Sequence, residues 1–228
     1  MIPLRDENPT TIAPVVTVTL IVLNCLVFFY QVALGPAEAR FIASFAAVPA
    51  EWFRPGMVVG GRGVPPSLTV LTSMFIHANV MHLGGNMLYL WIFGNNIEDV
   101  MGHGRFIVFY VLCGVAAMFA HAVTAPESTV PMIGASGAIS GVLGAYLLLF
   151  PRARVQVLIL LGVFTRIVPV PALYVLGFWI VMQVINGAFS WGGLGGGVAW
   201  FAHIGGFAVG LALIKVFQRR PIAPALRW

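Results

Sequence analysis

The chain has 228 residues, 60% of them hydrophobic and only 8% charged, where ordinary soluble domains carry about 25% charged residues. No soluble fold of this size can hide that much apolar surface, so composition excludes a water-soluble protein and requires a polytopic membrane protein. The net charge of +5 hints at nucleic acid, but the basic residues sit in loops and near the last residue, where membrane orientation needs them; no nucleic-acid partner is expected.

In chain order, residues 1–14 are polar, include Arg5, Asp6 and Glu7, and read as an N-terminal tail. They lack the basic n-region of a signal peptide, so Val15 to Leu34, about 20 residues, is expected to be a first, retained span. Gly35 and Pro36 end it. Residues 36–66 mix Arg40, Glu51, Trp52, Arg54 and Arg62 with prolines, the signature of a loop lying in the interface, partly as short amphipathic helices. Ser67 to His77 is expected to form a short helix sunk part-way into the membrane.

A second span runs from Asn79 to Asn95 and carries His82 and Asn86 one turn apart on one face. A short loop, Asn96 to Arg105, holds Glu98, Asp99 and a His103 expected to be solvated. The third span covers Phe106 to Val123 and the fourth Gly134 to Phe150, ended by Pro151-Arg152-Ala153-Arg154. Residues 155–168 are apolar but broken by Arg166, with Pro169 just beyond, and read as a re-entrant or interfacial connection. The fifth span runs from Pro171 to Ile185, a glycine-rich loop covers Gly187 to Gly197, and the sixth span runs from Ala199 to Phe217 before a basic tail, 218–228. No strand-like alternation interrupts the apolar runs. The expected fold is therefore an all-α bundle of six membrane helices over 15–217, with a membrane-embedded first outer loop.

Six spans place both termini on one side. That side holds nine of the twelve basic residues, leaving Arg40, Arg54 and Arg62 on the other, so the positive-inside rule puts both termini in the cytoplasm.

The same topology makes the second, fourth and sixth spans begin at the outer surface. His82, Asn86, Ser136 and His203 should then lie at similar depth. A charged group there costs roughly 2.5–3.5 kcal/mol on insertion scales, so such side chains should face the bundle interior. Taken alone, Gly134-Ala135-Ser136-Gly137 with Gly141 and Gly144 reads as a close-packing face. His203, however, shares its face with Gly206 and Gly210. Two glycine faces, each topped by a polar residue, imply that the fourth and sixth helices touch and bring Ser136 within reach of the His203 ring. A hydroxyl beside a base is what an activated nucleophile requires.

His121 also follows an alanine near the outer end of a helix, but no glycine face accompanies it; a structural or interfacial role is expected. His77 lies five residues before His82, off its face, and HExxH is absent, so no metal site is expected. Cys25 and Cys113 sit within separate apolar runs as small hydrophobes. Nothing calls for a cofactor. No acidic residue lies on the helices carrying Ser136 and His203, which points to a Ser–His dyad whose ring is oriented by packing rather than by a carboxylate. His82, Asn86 and the Ser136 backbone N–H are then candidate oxyanion donors, worth about 2.7–4 kcal/mol each in the transition state.

Taken together, His77-x4-His82-x3-Asn86, Gly134-Ala135-Ser136-Gly137 and Ala202-His203-x2-Gly206-x3-Gly210 resemble the rhomboid family of intramembrane serine proteases over residues 15–217. Glu98-x3-Gly102 also matches the family's pattern after the second helix. The resemblance implies cleavage of substrate transmembrane helices near the outer face. Ser136 would be the nucleophile and His203 the general base and acid. His82, Asn86 and the Ser136 amide would hold the oxyanion, with Gly134, Gly137, Gly206, Gly210 and His77 in support. It also implies a mobile gate in the fifth helix and the glycine-rich loop, and a bacterial plasma membrane as the location, with the lipid bilayer and transmembrane proteins as partners. Two positions depart from the pattern. Ser140 stands where some members place a tyrosine that stacks on the histidine, and Phe53 separates Trp52 from Arg54 where some have adjacent Trp-Arg. A non-cutting binder on the same fold would lack the serine or the histidine, and a proton-coupled transporter would carry an acidic residue inside a span; this chain fits neither description.

Overall fold

Residues 2–54, 56–59, 63–161, 164–190 and 198–219 are described by the computed structural model. Four helices in them are long and apolar enough to cross a membrane: α1 (Val15–Ala33), α6 (His103–Ala122), α8 (Ala172–Ser190) and α9 (Trp200–Phe217). Between α1 and α6 lie the short α2 (Glu38–Phe45), α3 (Pro49–Phe53) and α4 (Pro66–Thr72), then α5 (Val80–Met101). Helix α5 has 22 residues, but its polar face and the Glu98-Asp99 pair in its last turn lower its apolar character. Helix α7 (Ser136–Leu149) has only 14 residues, about 21 Å of rise against a hydrocarbon core of about 30 Å. Its length is explained by its surroundings. Nearly every residue from Gly137 to Tyr146 is buried, against α5, α6 and α9, so α7 is a post inside the bundle rather than a lipid-facing span.

At the end of the bundle away from Ser136, Glu98 explains the acidic pair expected in a loop. Helix α5 continues through it, and the fully buried Glu98 carboxylate accepts from the Val16 N–H, the Thr17 N–H and the Thr17 hydroxyl, at 2.8, 2.8 and 2.7 Å. These are first-turn donors of α1, which no residue of α1 itself can satisfy. Gly102, with φ 75°, allows the turn into α6 and donates its N–H to Glu98 O at 2.7 Å. His103 is not simply solvated: its Nδ1 lies 2.6 Å from Glu98 Oε1.

The all-α expectation is corrected at the same end. Residues 155–161 and 164–168, expected in a re-entrant or interfacial connection, instead belong to two paired antiparallel strands, β2 (Arg154–Leu161) and β3 (Phe164–Pro171). Residues of the N-terminal stretch, β1 (Ile2–Asp6), complete a three-stranded sheet in the order β1-β2-β3. Val155 and Val157 alternate into the core. Pro169, which suggested a break, sits on β3, an edge strand where a missing N–H is tolerated. Asn96 Nδ2 donates to Asn8 O at 2.7 Å and the Tyr146 hydroxyl to Asp6 at 2.7 Å, tying the segment around β1 to α5 and α7.

At the opposite end, the segment leading into α7 is pinned from two sides. Met132 exchanges backbone hydrogen bonds with Ala47, at 2.7 and 3.2 Å, and the Gly134 N–H donates to Ser73 O at 2.9 Å. Arg54 pairs with Glu127, and Trp52 packs its ring 5.1 Å from Phe119 while donating to Pro66 O at 3.3 Å. The first connection is thereby fastened to the approach to Ser136. Part of it, including Arg62, lies outside the described residues, as do 191–197 of the glycine-rich loop and the tail beyond Arg219.

Candidate active site

Three glycine positions decide how closely α7 and α9 approach. A Cβ on Gly206 would stand 2.1 Å from Gly137 O, one on Gly210 2.0 Å from Gly141 O, and one on Gly144 2.3 Å from Phe207 O. Backbone meets backbone along the whole contact, which only glycine permits. From the other side, a Cβ on Gly137 would meet the Ala117 methyl of α6 at 2.6 Å. The two glycine faces read from the sequence do face each other.

At the end of that contact, His203 Nε2 and Ser136 Oγ are 2.8 Å apart. The ring is held on its other nitrogen as well: Nδ1 lies 2.8 Å from Gln183 Oε1 on α8. Trp179 and Trp200 flank it at centroid distances of 5.8 and 6.2 Å. Ser140, the position of the absent tyrosine, instead donates its hydroxyl to Ser136 O at 2.6 Å, a local bond within α7.

His82 and Asn86 converge on the same place from α5. Asn79 caps that helix, its side chain accepting the His82 N–H at 2.9 Å. His82 Nδ1 accepts from the Ala78 N–H at 3.4 Å, which leaves the ring proton on Nε2. That nitrogen faces Gly134, where a Cβ would come within 2.8 Å of it; Gly134 also holds φ 113°, a conformation that disfavours any side chain. Asn86 is 8% exposed and its Nδ2 has no partner among the described residues. A buried amide donor without an acceptor is costly, and here it is aimed at the approach to Ser136. The Ser136 N–H belongs to the first helical residue, one of the donors an α-helix cannot satisfy internally. His82, Asn86, Ser136 and His203 all line one cavity of about 1350 Å³, whose apolar walls include Met132, Ile139 and Trp179.

The remaining sequence candidates separate cleanly. His121 lines the same cavity but stacks on Phe201, 6.5 Å away, rather than bonding to Ser136. His77 is fully buried with its ring edge-on to His82 at 5.1 Å, and Gln31 of α1 clamps its backbone: Gln31 Nε2 donates to His77 O at 2.8 Å. Its ring packs against His82, and its ring nitrogens make no hydrogen bond, to Ser136 or otherwise, among the described residues. No cluster of potential metal ligands occurs among the described residues. Gln183 and Trp179 are the site residues that motif reading missed. The available signal was an amide within the apolar run of α8, with Asn186 three residues on, a costly placement unless it is bonded.

A family model described as "Rhomboid domain" matches residues 67–220. The chain is 30% identical over 220 residues to the rhomboid protease GluP of Bacillus subtilis (strain 168), covering 93% of this chain and 38% of that protein. It is 32% identical over 182 residues to the mitochondrial rhomboid protein 1 of Saccharomyces cerevisiae, covering 72% of this chain and 48% of that one. Against the mitochondrial presenilin-associated rhomboid-like protein A of Danio rerio the identity is 30% over 158 residues, 68% of this chain and 36% of that one. The matched region thus spans less than half the length of these relatives.

Proposed function

The chain belongs to the rhomboid family, and on that footing we propose that it is an intramembrane serine endopeptidase acting through Ser136 and His203. The observation that carries this reading is the 2.8 Å contact between Ser136 Oγ and His203 Nε2, opening on a cavity also lined by Asn86, whose Nδ2 has no partner among the described residues. Ser136 Oγ attacks the scissile carbonyl carbon while its proton passes to His203 Nε2. The resulting oxyanion accepts hydrogen bonds from Asn86 Nδ2, His82 Nε2–H and the Ser136 N–H. The intermediate collapses as His203 protonates the leaving amine, and a water deprotonated by His203 then hydrolyses the acyl-enzyme.

The substrates are transmembrane proteins cut within or next to their membrane spans. The apolar cavity walls suit an unwound helix segment, and Ser136 lies at one end of the bundle, near a membrane face. We take α5 and α7 as the second and fourth of six spans, α7 shielded by its neighbours. With the basic residues counted on that topology, both termini face the cytoplasm of a bacterial plasma membrane.

Reconstituted into liposomes with a single-span substrate carrying small residues near its outer face, the protein should release a discrete product that Ser136→Ala does not produce. An identical product from Ser136→Ala, or binding without cleavage by the wild type, would contradict the proposal. Asn86→Ala should lower kcat about 10²- to 10³-fold with the thermal transition unchanged; an unaltered kcat removes Asn86 from the oxyanion site.

A further inference from the structure

We propose that Gln183 is the positioning residue of the Ser136–His203 pair, a neutral third member that selects the His203 tautomer; the inference rests on the roles given to those two residues above. Gln183 lies on α8, is 7% exposed, and spends both ends of its amide within the site. Its Nε2 donates to the Trp179 backbone carbonyl at 3.1 Å. A carbonyl can only accept, so that bond fixes which end of the amide is nitrogen and turns Oε1 toward His203, 2.8 Å from Nδ1. An amide oxygen also can only accept. The proton of the neutral ring must therefore reside on Nδ1, which leaves the Nε2 lone pair facing the Ser136 hydroxyl at 2.8 Å. The opposite tautomer would set two lone pairs against each other at the Gln183 contact and present Ser136 with a donor where it needs an acceptor.

Trp179 and Trp200 cannot do this alone. Their rings, one tilted by 40° and one edge-on at 87°, confine the imidazole, but an apolar ring contact does not distinguish one tautomer from the other. The chain of bonds from the Trp179 carbonyl through Gln183 to His203 and Ser136 does. In carboxylate triads the equivalent group holds the tautomer and also stabilises the imidazolium by charge; a neutral replacement that presents a donor to the ring loses both, at a cost of about 10⁴-fold. An amide supplies the first function without the full charge of the second. The ordering is also mechanical, since the bond joins α8 to α9: displacement of α8 breaks it.

The test is the second-order rate of fluorophosphonate labelling at Ser136, measured across pH alongside the thermal transition in detergent, for Gln183→Met and Gln183→Glu. Gln183→Met, close in shape but without an acceptor, should label at least ten-fold more slowly, and kcat for cleavage should fall similarly with KM unchanged. Gln183→Glu restores the acceptor and adds charge beside the ring, so it should label within about ten-fold of wild type with the acid limb of its pH–rate profile moved to higher pH. Wild-type labelling by Gln183→Met, or an unmoved acid limb in Gln183→Glu, overturns the assignment. Should Gln183→Met lose its thermal transition, the Gln183→Glu profile alone decides. Silent Ser136→Ala and His203→Ala beside unaffected Gln183 variants would defeat only this inference, whereas labelling of Ser136→Ala would defeat the dyad itself.

Discussion

Gly206→Ala is expected to separate the two helices that carry Ser136 and His203. The new methyl would stand 2.1 Å from Gly137 O, and both sides of the clash are helix backbone, which cannot rotate away as a side chain can. Overpacking of this kind typically costs about 1–3 kcal/mol, and more where the neighbours are rigid. The catalytic effect should be larger than the stability loss. A displacement of about 1 Å at the nucleophile can cost about 10²-fold in rate, and α7 and α9 must move by at least that much to admit the methyl. Gly177→Ala on α8 is the matched control: nothing lies within 4 Å of its Cβ position, and alanine gains up to about 1 kcal/mol of helix propensity. Thermal transitions and turnover of the two variants should diverge. Equal behaviour would mean that the glycine faces do not set the spacing of the site.

His203→Ala should reduce cleavage on the order of 10⁴-fold or more, as removal of the base does in serine proteases that act as a unit. His121→Ala should retain most activity. Both histidines line the same cavity, so the comparison separates contact with Ser136 from mere presence. His203 bonds Ser136 Oγ and Gln183, while His121 stacks on Phe201. Retained turnover in His203→Ala with loss in His121→Ala would reverse the assignment of the base. The thermal transition of His203→Ala should stay close to wild type once Gln183 is free to bond water in the cavity.

Much of this site was legible because the information is local. The spacing of His82 and Asn86, and of His203 with Gly206 and Gly210, follows from helical periodicity alone, and the structure places those faces together. What was not legible depended on distant partners. β1 and β2 are separated by about 150 residues of sequence, and the alternation of Val155 and Val157 is masked by apolar residues on the other face of β2. Pro169 looked like a breaker because nothing in the sequence says that its strand is an edge. Glu98 looked like a loop residue because its partners, the first amides of α1, lie more than 80 residues away. Gln183 escaped for a different reason. An amide carries no sequence signature of a hydrogen-bond partner for histidine, and its 2.8 Å approach to His203 Nδ1 depends on how α8 packs against α9.

The most direct measurement is fluorophosphonate labelling of the purified, detergent-solubilised protein, with the adduct located by mass spectrometry. A serine activated by His203 displaces fluoride from the probe and forms a phosphorus–oxygen bond, with no need to know the substrate. The expected result is a single adduct on the peptide containing Ser136, absent in Ser136→Ala and strongly reduced in His203→Ala. An adduct on another residue, or undiminished labelling of Ser136→Ala, would contradict the central claim.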